Sequence, residues 1–211
     1  MAEWMKAPLG EPEHYSLWAM PDTVLTRKAK SAVIALAHTR STPVFDPHLT
    51  LVSHWSQNKE EFVGSAVAFA AKWKSSGRKG IGVTFEPNVA RGSSRYQCVF
   101  LKGIGASDEF EEARILCSEC FDAVPPSHPP NGLEEHSKCK PSKFTHMSLL
   151  YDAPVDGTDW DRCVSMATDA LCSEGLEMDS APITTRCEEL WVVHIIPGHV
   201  ERWEVVSVMS L

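Results

Sequence analysis

The sequence predicts an α+β fold in which most strands pair in antiparallel fashion. Segments with apolar residues at helical spacing alternate with short strand-like runs along the 211 residues. Two pairs of such runs, 79–89 with 94–104 and 183–198 with 200–211, follow each other directly and therefore predict hairpins. The two strands of a hairpin are antiparallel, so we expect mostly antiparallel sheets.

The first half of the chain is predicted to form a strand, a helix, a strand and a second helix. Residues 14–20, HYSLWAM, are rich in aromatic residues and stop at a Pro-Asp pair, which predicts a strand that enters a turn. Apolar residues at helical spacing predict a helix over 23–39, and a strand follows at 47–53. Helical spacing returns over 58–76, which ends just before a glycine.

The second half begins with the hairpin, whose tight turn we place at Arg91-Gly92. A helix is predicted over 107–122. Five of the next twenty residues, 123–142, are prolines, which predicts a long loop. The remaining segments are a strand, a helix and the two runs of the closing hairpin, at 143–152, 157–175, 183–198 and 200–211.

Composition and charge limit the classes of function. A hydrophobic content of 43% and a charged content of 23% are ordinary for a globular protein, and the length suits one sizeable core. The net charge of -8 disfavours a protein that grips long nucleic acid, although a local site can still bind a small anion. No apolar run approaches the roughly 20 residues of a membrane span, so we expect a cytoplasmic protein without a membrane partner.

The seven cysteines are scattered and odd in number, which favours free thiols in a reducing compartment. One alternative is a zinc site formed by Cys117, Cys120, His136 and Cys139. Against it, the first two cysteines lie in a helical pattern, where positions three apart share a face simply because the helix is amphipathic. We therefore predict no metal ligand.

Two short motifs repeat each other along the chain. His48 is followed two positions later by Thr50, and His146 is followed two positions later by Ser148, each inside an apolar run. In a strand, residues two apart share one face, so each histidine lies beside its hydroxyl while the intervening residues face the core. Either motif alone is better explained as an ordinary feature of a strand, since a histidine near a threonine or serine is common there. Together they predict two lobes of similar build that share one site.

The four side chains suffice for attack at phosphorus. A neutral imidazole can take a proton from water while a protonated imidazole gives one to the leaving oxygen, because a pKa near ~6.5 lets both forms coexist. The two hydroxyls can donate hydrogen bonds to the non-bridging phosphoryl oxygens, where negative charge develops.

The paired motifs resemble the signature of the 2H phosphoesterase superfamily. Further stretches narrow the resemblance to its cyclic phosphodiesterase branch, in the order YSLWAMP, PHLTL, YQCVFLKG, THMSLLY and the Trp203-Glu204 pair of the last strand. These blocks span nearly the whole chain. The resemblance implies a single bilobal domain over residues 1–211, with two antiparallel sheets facing a central cleft and helices on the outside.

The resemblance also implies an activity and site residues. Members of this branch open cyclic phosphates without a metal, converting nucleoside 2′,3′-cyclic phosphates to 2′-phosphates or ADP-ribose 1″,2″-cyclic phosphate to the 1″-phosphate. Carried over by position, His48 and His146 are the catalytic acid/base pair, and Thr50 and Ser148 bind the phosphate. We take His146 as the base that activates water and His48 as the acid, an assignment that the sequence leaves open.

Three further residues are candidates for substrate binding. Tyr151 occupies the family's HxSLLY position, where it would contact the phosphate or a water. Trp18 is similar to a family aromatic near the nucleoside, and stacking of a base on an indole is worth roughly 1 to 3 kcal/mol. Gln97 is a polar residue inside an apolar strand. For all three, the alternative is an ordinary position in a strand or the core.

The resulting hypothesis is a monomeric enzyme without a cofactor, whose substrate is a small cyclic nucleotide released by RNA or tRNA processing. The Pro-rich loop at 123–142 is either a lid over the site or a surface insertion. Two alternatives stay open: an RNA enzyme that trims or joins 3′ ends, which the acidic balance disfavours, and a nucleotide-binding module without catalysis.

Overall fold

The computed structural model describes residues 13–56, 59–94, 97–104, 108–122, 145–152 and 157–211. These residues form eight strands, four α-helices and one short 3-10 helix at Val200–Arg202. The strands are β1 (Glu13–Met20), β2 (Leu49–Ser56), β3 (Ile81–Ser94), β4 (Gln97–Gly103), β5 (His146–Leu150), β6 (Ile183–Cys187), β7 (Glu189–Ile195) and β8 (Glu204–Ser210). The helices are α1 (Thr23–Arg40), α2 (Lys59–Ser75), α3 (Asp108–Asp122) and α4 (Gly157–Ser173).

The strands form two four-stranded sheets, ordered β2-β1-β7-β8 and β5-β4-β3-β6. Every pairing within both sheets is antiparallel. The two sheets are built alike, since β1-α1-β2 supplies one edge of the first and β4-α3-β5 one edge of the second. The predicted α+β class with two antiparallel sheets and outer helices is confirmed.

The helices pack on one side of the sheets and enclose the core. α1 lies against α4, and α2 lies against α3. Alternate strand residues such as Leu17, Leu49, Val83, Leu101 and Met147 are buried with them in one apolar cluster. This alternation leaves the intervening residues of each strand on the opposite face, where the motif side chains lie.

Asp22 fixes both the start of α1 and its attachment to the second sheet. Its Oδ1 accepts hydrogen bonds from the amides of Val24 and Leu25 at 2.9 Å each, the usual way in which an Asp caps a helix. Its Oδ2 accepts a hydrogen bond from the hydroxyl of Thr185 in β6 at 2.7 Å. The predicted turn at Pro-Asp is therefore also a link between the sheets.

The structure corrects two details of the predicted elements. The first hairpin does not turn at Arg91-Gly92, because β3 continues through both residues to Ser94 and Arg91 pairs with Val99. The predicted strand 183–198 is two strands in different sheets, separated only by Glu188. Two consecutive exposed residues, Glu188 and Glu189, interrupt the alternation at the crossing, although each half is an ordinary strand locally.

Some predictions fall outside the described residues. They are the Pro-rich loop at 123–142 and, within it, His136 and Cys139 of the zinc alternative. Cys117 and Cys120 are buried in α3, and no cluster suited to a metal ion occurs among the residues that the structure describes. Among the described helices, none has both the length and the hydropathy needed for crossing a bilayer.

Candidate active site

The two motif strands lie at the edges of their sheets and contact each other. β2 is the outer strand of the first sheet, β5 is the outer strand of the second, and the two meet where the sheets come together. Thr50 lies in β2, and His146 and Ser148 lie in β5. His48 departs from the prediction of a strand over 47–53, because β2 begins only at Leu49.

His48 is held on three sides. It is 5% exposed, and its Nδ1 lies 2.7 Å from the backbone carbonyl oxygen of Asp46. A carbonyl can only accept, so Nδ1 carries the hydrogen and Nε2 is the atom left for proton transfer. The imidazole stacks on the indole of Trp18, with centroids 3.5 Å apart and planes tilted by 7°. The third contact comes from the other sheet.

That contact is Tyr151, which follows β5 directly. Its hydroxyl lies 3.4 Å from Nε2 of His48, and its ring stacks on Phe45 with a centroid distance of 4.1 Å. Tyr151 was predicted to contact the phosphate or a water, and the structure places its hydroxyl at the atom of His48 that can exchange a proton. A residue of the second motif therefore touches the histidine of the first.

Burial lowers the pKa of His48 from its ordinary value of 6.5 to about 4. The largest cause is loss of solvent around the charged form, and the positive charge of His146 adds to it. The Asp46 carbonyl acts in the opposite direction, because it accepts the Nδ1 hydrogen. His48 is thus neutral near pH 7 in the free protein, and the two histidines lie close enough to influence each other.

Both residues of the second motif lie within β5. His146 is partly exposed and meets the ring of Phe100 edge-on, with centroids 5.7 Å apart. Ser148 is 3% exposed and pairs with Phe100 across the β4–β5 ladder. Thr50, on the facing edge, is partly exposed. The structure therefore places the two histidines and the two hydroxyls on the meeting edges of the sheets.

Trp18 and Gln97 differ from the other candidates. Trp18 is 4% exposed, and its Nε1 donates a hydrogen bond to the hydroxyl of Ser16 at 2.9 Å. With one face of its ring against His48, Trp18 presents no open face to a nucleobase. Gln97 opens β4, but its side chain lies outside the part of the chain that the structure describes.

Sequence reasoning missed the residues that hold His48 in place. Lys30 in α1 donates hydrogen bonds to the carbonyl oxygen of Phe45 at 3.0 Å and to Oδ1 of Asp46 at 2.6 Å. These bonds anchor the segment that carries the Asp46 carbonyl. The sequence gives no local sign of this contact, since the lysine lies 16 residues before its partner on another element.

Sequence reasoning also missed Trp203 as a neighbour of the site. Its ring centroid lies 5.6 Å from that of Tyr151 and 5.8 Å from that of Trp18. The signal was present, since Trp203 belongs to the Trp-Glu pair that supported the family resemblance. Its position beside Tyr151 and Trp18 depends on β7 and β8 joining the sheet that contains β1.

Comparison with known proteins agrees with this architecture. The family described as cyclic phosphodiesterase-like protein matches residues 14–211. No curated protein matches the chain significantly. The fold is similar to that of E. coli LigT complexed with ATP, with a TM-score of 0.50 and 12% identity over 95% of this chain and 98% of that chain. Kluyveromyces marxianus Usb1 gives a TM-score of 0.46 and 13% identity over 97% of this chain and 99% of that chain.

Proposed function

The chain belongs to the cyclic phosphodiesterase-like family of the 2H phosphoesterase superfamily, and on that premise we propose that it hydrolyses cyclic phosphates of small nucleotides by two-histidine acid/base catalysis without a metal. The substrates are nucleoside 2′,3′-cyclic phosphates, opened to 2′-phosphates, or ADP-ribose 1″,2″-cyclic phosphate, opened to the 1″-phosphate. The observation that supports this most is the meeting of both His-hydroxyl motifs at the contacting edges β2 and β5.

The reaction needs one proton taken and one proton given. Water attacks phosphorus, a new P–O bond forms, and the bond to the 3′-oxygen breaks. One imidazole accepts the proton of the water, and the other protonates the leaving 3′-oxygen. The hydroxyls of Thr50 and Ser148 donate hydrogen bonds to the non-bridging oxygens, whose negative charge increases in the transition state.

The environment of His48 favours it as the base. A base must be neutral before the attack, and the lowered pKa of about 4 keeps His48 neutral near pH 7. The hydrogen bond from Nδ1 to the Asp46 carbonyl puts the lone pair on Nε2, which the Tyr151 hydroxyl faces at 3.4 Å. His146, which is partly exposed, then serves as the acid. This reverses the assignment that we took from the sequence, in which His146 activates water.

The first test is loss of activity in single variants. His48→Ala and His146→Ala should each reduce kcat for hydrolysis of a 2′,3′-cyclic nucleotide by about 10²-fold or more, the contribution of a general acid or base. His38→Ala, an exposed histidine of α1, is the matched control and should retain wild-type activity. EDTA should leave all rates unchanged, and loss of activity with the chelator would contradict the metal-free mechanism.

A second test separates acid from base. A 2′,3′-cyclic phosphate with sulfur in place of the 3′-oxygen has a thiolate leaving group, which departs without general-acid help. It should restore most of the rate in His146→Ala and little in His48→Ala. Restoration in His48→Ala alone would instead support the assignment taken from the sequence.

The same preparations distinguish the alternatives. An enzyme that trims or joins RNA 3′ ends acts on an oligonucleotide in preference to a mononucleotide cyclic phosphate. A binding module binds the nucleotide product but hydrolyses neither substrate. Assays of adenosine 2′,3′-cyclic phosphate, ADP-ribose 1″,2″-cyclic phosphate and a short RNA with a cyclic end, side by side, give a different pattern for each function.

A further inference from the structure

We propose that Trp203 is the residue on which the nucleobase of the substrate stacks, and that it makes the site prefer cyclic phosphates that carry a base. The proposal rests on the proposed function, and it assigns to Trp203 the role that the sequence suggested for Trp18. Base stacking on an indole tolerates any base, because every base has a π-face. Trp203 would therefore select nucleotides as a class.

The position of Trp203 fits this role. It lies directly before β8, and its ring is within 5.6 Å of Tyr151 and 5.8 Å of Trp18, measured between centroids. Both neighbours contact His48 themselves. A base on Trp203 would therefore lie one aromatic ring away from the imidazole, a distance that a ribose cyclic phosphate can span.

The orientation of Trp203 is fixed, which favours binding. Its Nε1 donates a hydrogen bond to the carbonyl oxygen of Ile196 at 3.1 Å, and its ring meets Trp18 and Tyr151 at 63° and 60°. A ring held in place in the free protein loses little conformational freedom when a ligand stacks on it. Trp203 is partly exposed, whereas Trp18 is 4% exposed with one face against His48.

Trp203 and Trp191 pack against one buried apolar cluster that contains Trp18. Across the first sheet, Trp18 pairs with Trp191, and Trp191 pairs with Val208, so these three side chains share one face. Val208 is 55% exposed, and Val205 on the same strand is 41% exposed. Exposed apolar surface on the sheet face that carries Trp18 suits a flat heterocycle better than it suits a sugar or a phosphate.

The test compares two substrates that differ only in the base. Adenosine 2′,3′-cyclic phosphate carries a base, and methyl riboside 2,3-cyclic phosphate lacks one. For Trp203→Ala we expect kcat/KM on the adenosine substrate to fall by about 5- to 150-fold, mostly through KM, the fold-change that stacking of one base is worth. On the base-free substrate kcat/KM should fall by a much smaller factor, because the stacking contact is the one that the two substrates do not share. Trp203→Phe, which retains a ring, should recover most of the loss.

The possible outcomes separate this proposal from the proposed function. An equal loss on both substrates, or no loss on either, would overturn the role of Trp203. If the wild type hydrolyses neither substrate, the proposed function fails while the stacking proposal is still tested by binding. Calorimetry should then show that Trp203→Ala weakens the binding of adenosine 2′-monophosphate and leaves the binding of ribose 2-phosphate unchanged. An equal effect on the binding of both ligands would refute stacking. Circular dichroism of both variants checks that they fold.

Discussion

The buried imidazole of His48 should make the stability of the fold depend on pH. Its pKa is about 4 in the folded protein and 6.5 when it is exposed to water. Between these values the unfolded chain binds a proton that the folded chain does not, so stability falls as the pH decreases from 6.5 towards 4 and is fully retained above 6.5. At 1.36 kcal/mol for each pKa unit, the contribution lost is roughly 3 kcal/mol.

The perturbation that isolates this contribution is His48→Asn, which removes the titrating ring while its amide can still donate to the Asp46 carbonyl. Between pH 7 and pH 4, the free energy of unfolding in urea should decrease in both proteins. The decrease should be larger in the wild type than in the variant by roughly 3 kcal/mol. The control is His38→Asn, which removes an exposed imidazole from α1.

A direct measurement of the ring decides the same question. NMR titration of the His48 imidazole should show no protonation between pH 7 and 5.5 in the folded protein. A midpoint near 6.5 would refute the claim that burial and His146 keep the ring neutral. An identical pH dependence of stability in His48→Asn and wild type would refute it as well, whatever the activity of the variant.

Three further substitutions test the supports of the site. Arg40→Met removes two ion pairs, with Asp152 at 2.8 Å and with Asp159 at 2.9 Å. The side chains of Arg40 and Asp152 are only 19% and 16% exposed, so the free energy of unfolding in urea should fall by about 1 to 3 kcal/mol. Gly103→Ala places a Cβ 2.8 Å from the Cβ of Thr145, so the start of β5 must shift and kcat should fall severalfold. Lys30→Met removes the hydrogen bonds that anchor the segment before His48. The free energy of unfolding should fall by less than about 1 kcal/mol, but kcat should fall measurably.

Each of these variants has a matched control. Arg91→Met removes an ion pair with Asp161 whose side chains are 54% and 76% exposed, and its effect on urea unfolding should be near zero. Gly64→Ala adds a methyl group on α2 where nothing lies within 4 Å, so stability should rise by up to about 1 kcal/mol. Lys28→Met alters the same helix as Lys30→Met but should not change kcat. Equal effects in a variant and its control would contradict the stated cause.

Local patterns predicted most of the fold because helical and strand spacing are properties of neighbouring residues. The four helices and the strands β1 and β4 lie close to where the spacing places them. Pairing between distant segments is not encoded in that way. The change of sheet at Glu188 and the end of β3 at Ser94 depend on which strand lies alongside.

The same distinction between local pattern and tertiary contact applies to the candidate site. Alternation in β5 places His146 and Ser148 on one face, because that is a property of a strand, whereas His48 precedes β2 and its position does not follow from alternation. The role of Trp18 could not be predicted, since a buried indole looks the same in sequence whether it faces a ligand or stacks on His48. The roles of Lys30 and Trp203 could not be predicted for the same reason, because their contacts are tertiary.

The contacts that orient His48 also determine its charge. Trp18 and the segment at Asp46 hold the imidazole in one plane, and in doing so they exclude the water that would stabilise its protonated form. Orientation and proton affinity are therefore coupled at this residue. Under the proposed function, packing keeps the base neutral before substrate binds. The contact at its Nε2 comes from the second sheet, through the hydroxyl of Tyr151. A substitution that loosens Trp18 should for that reason change the pH profile of the reaction along with its rate.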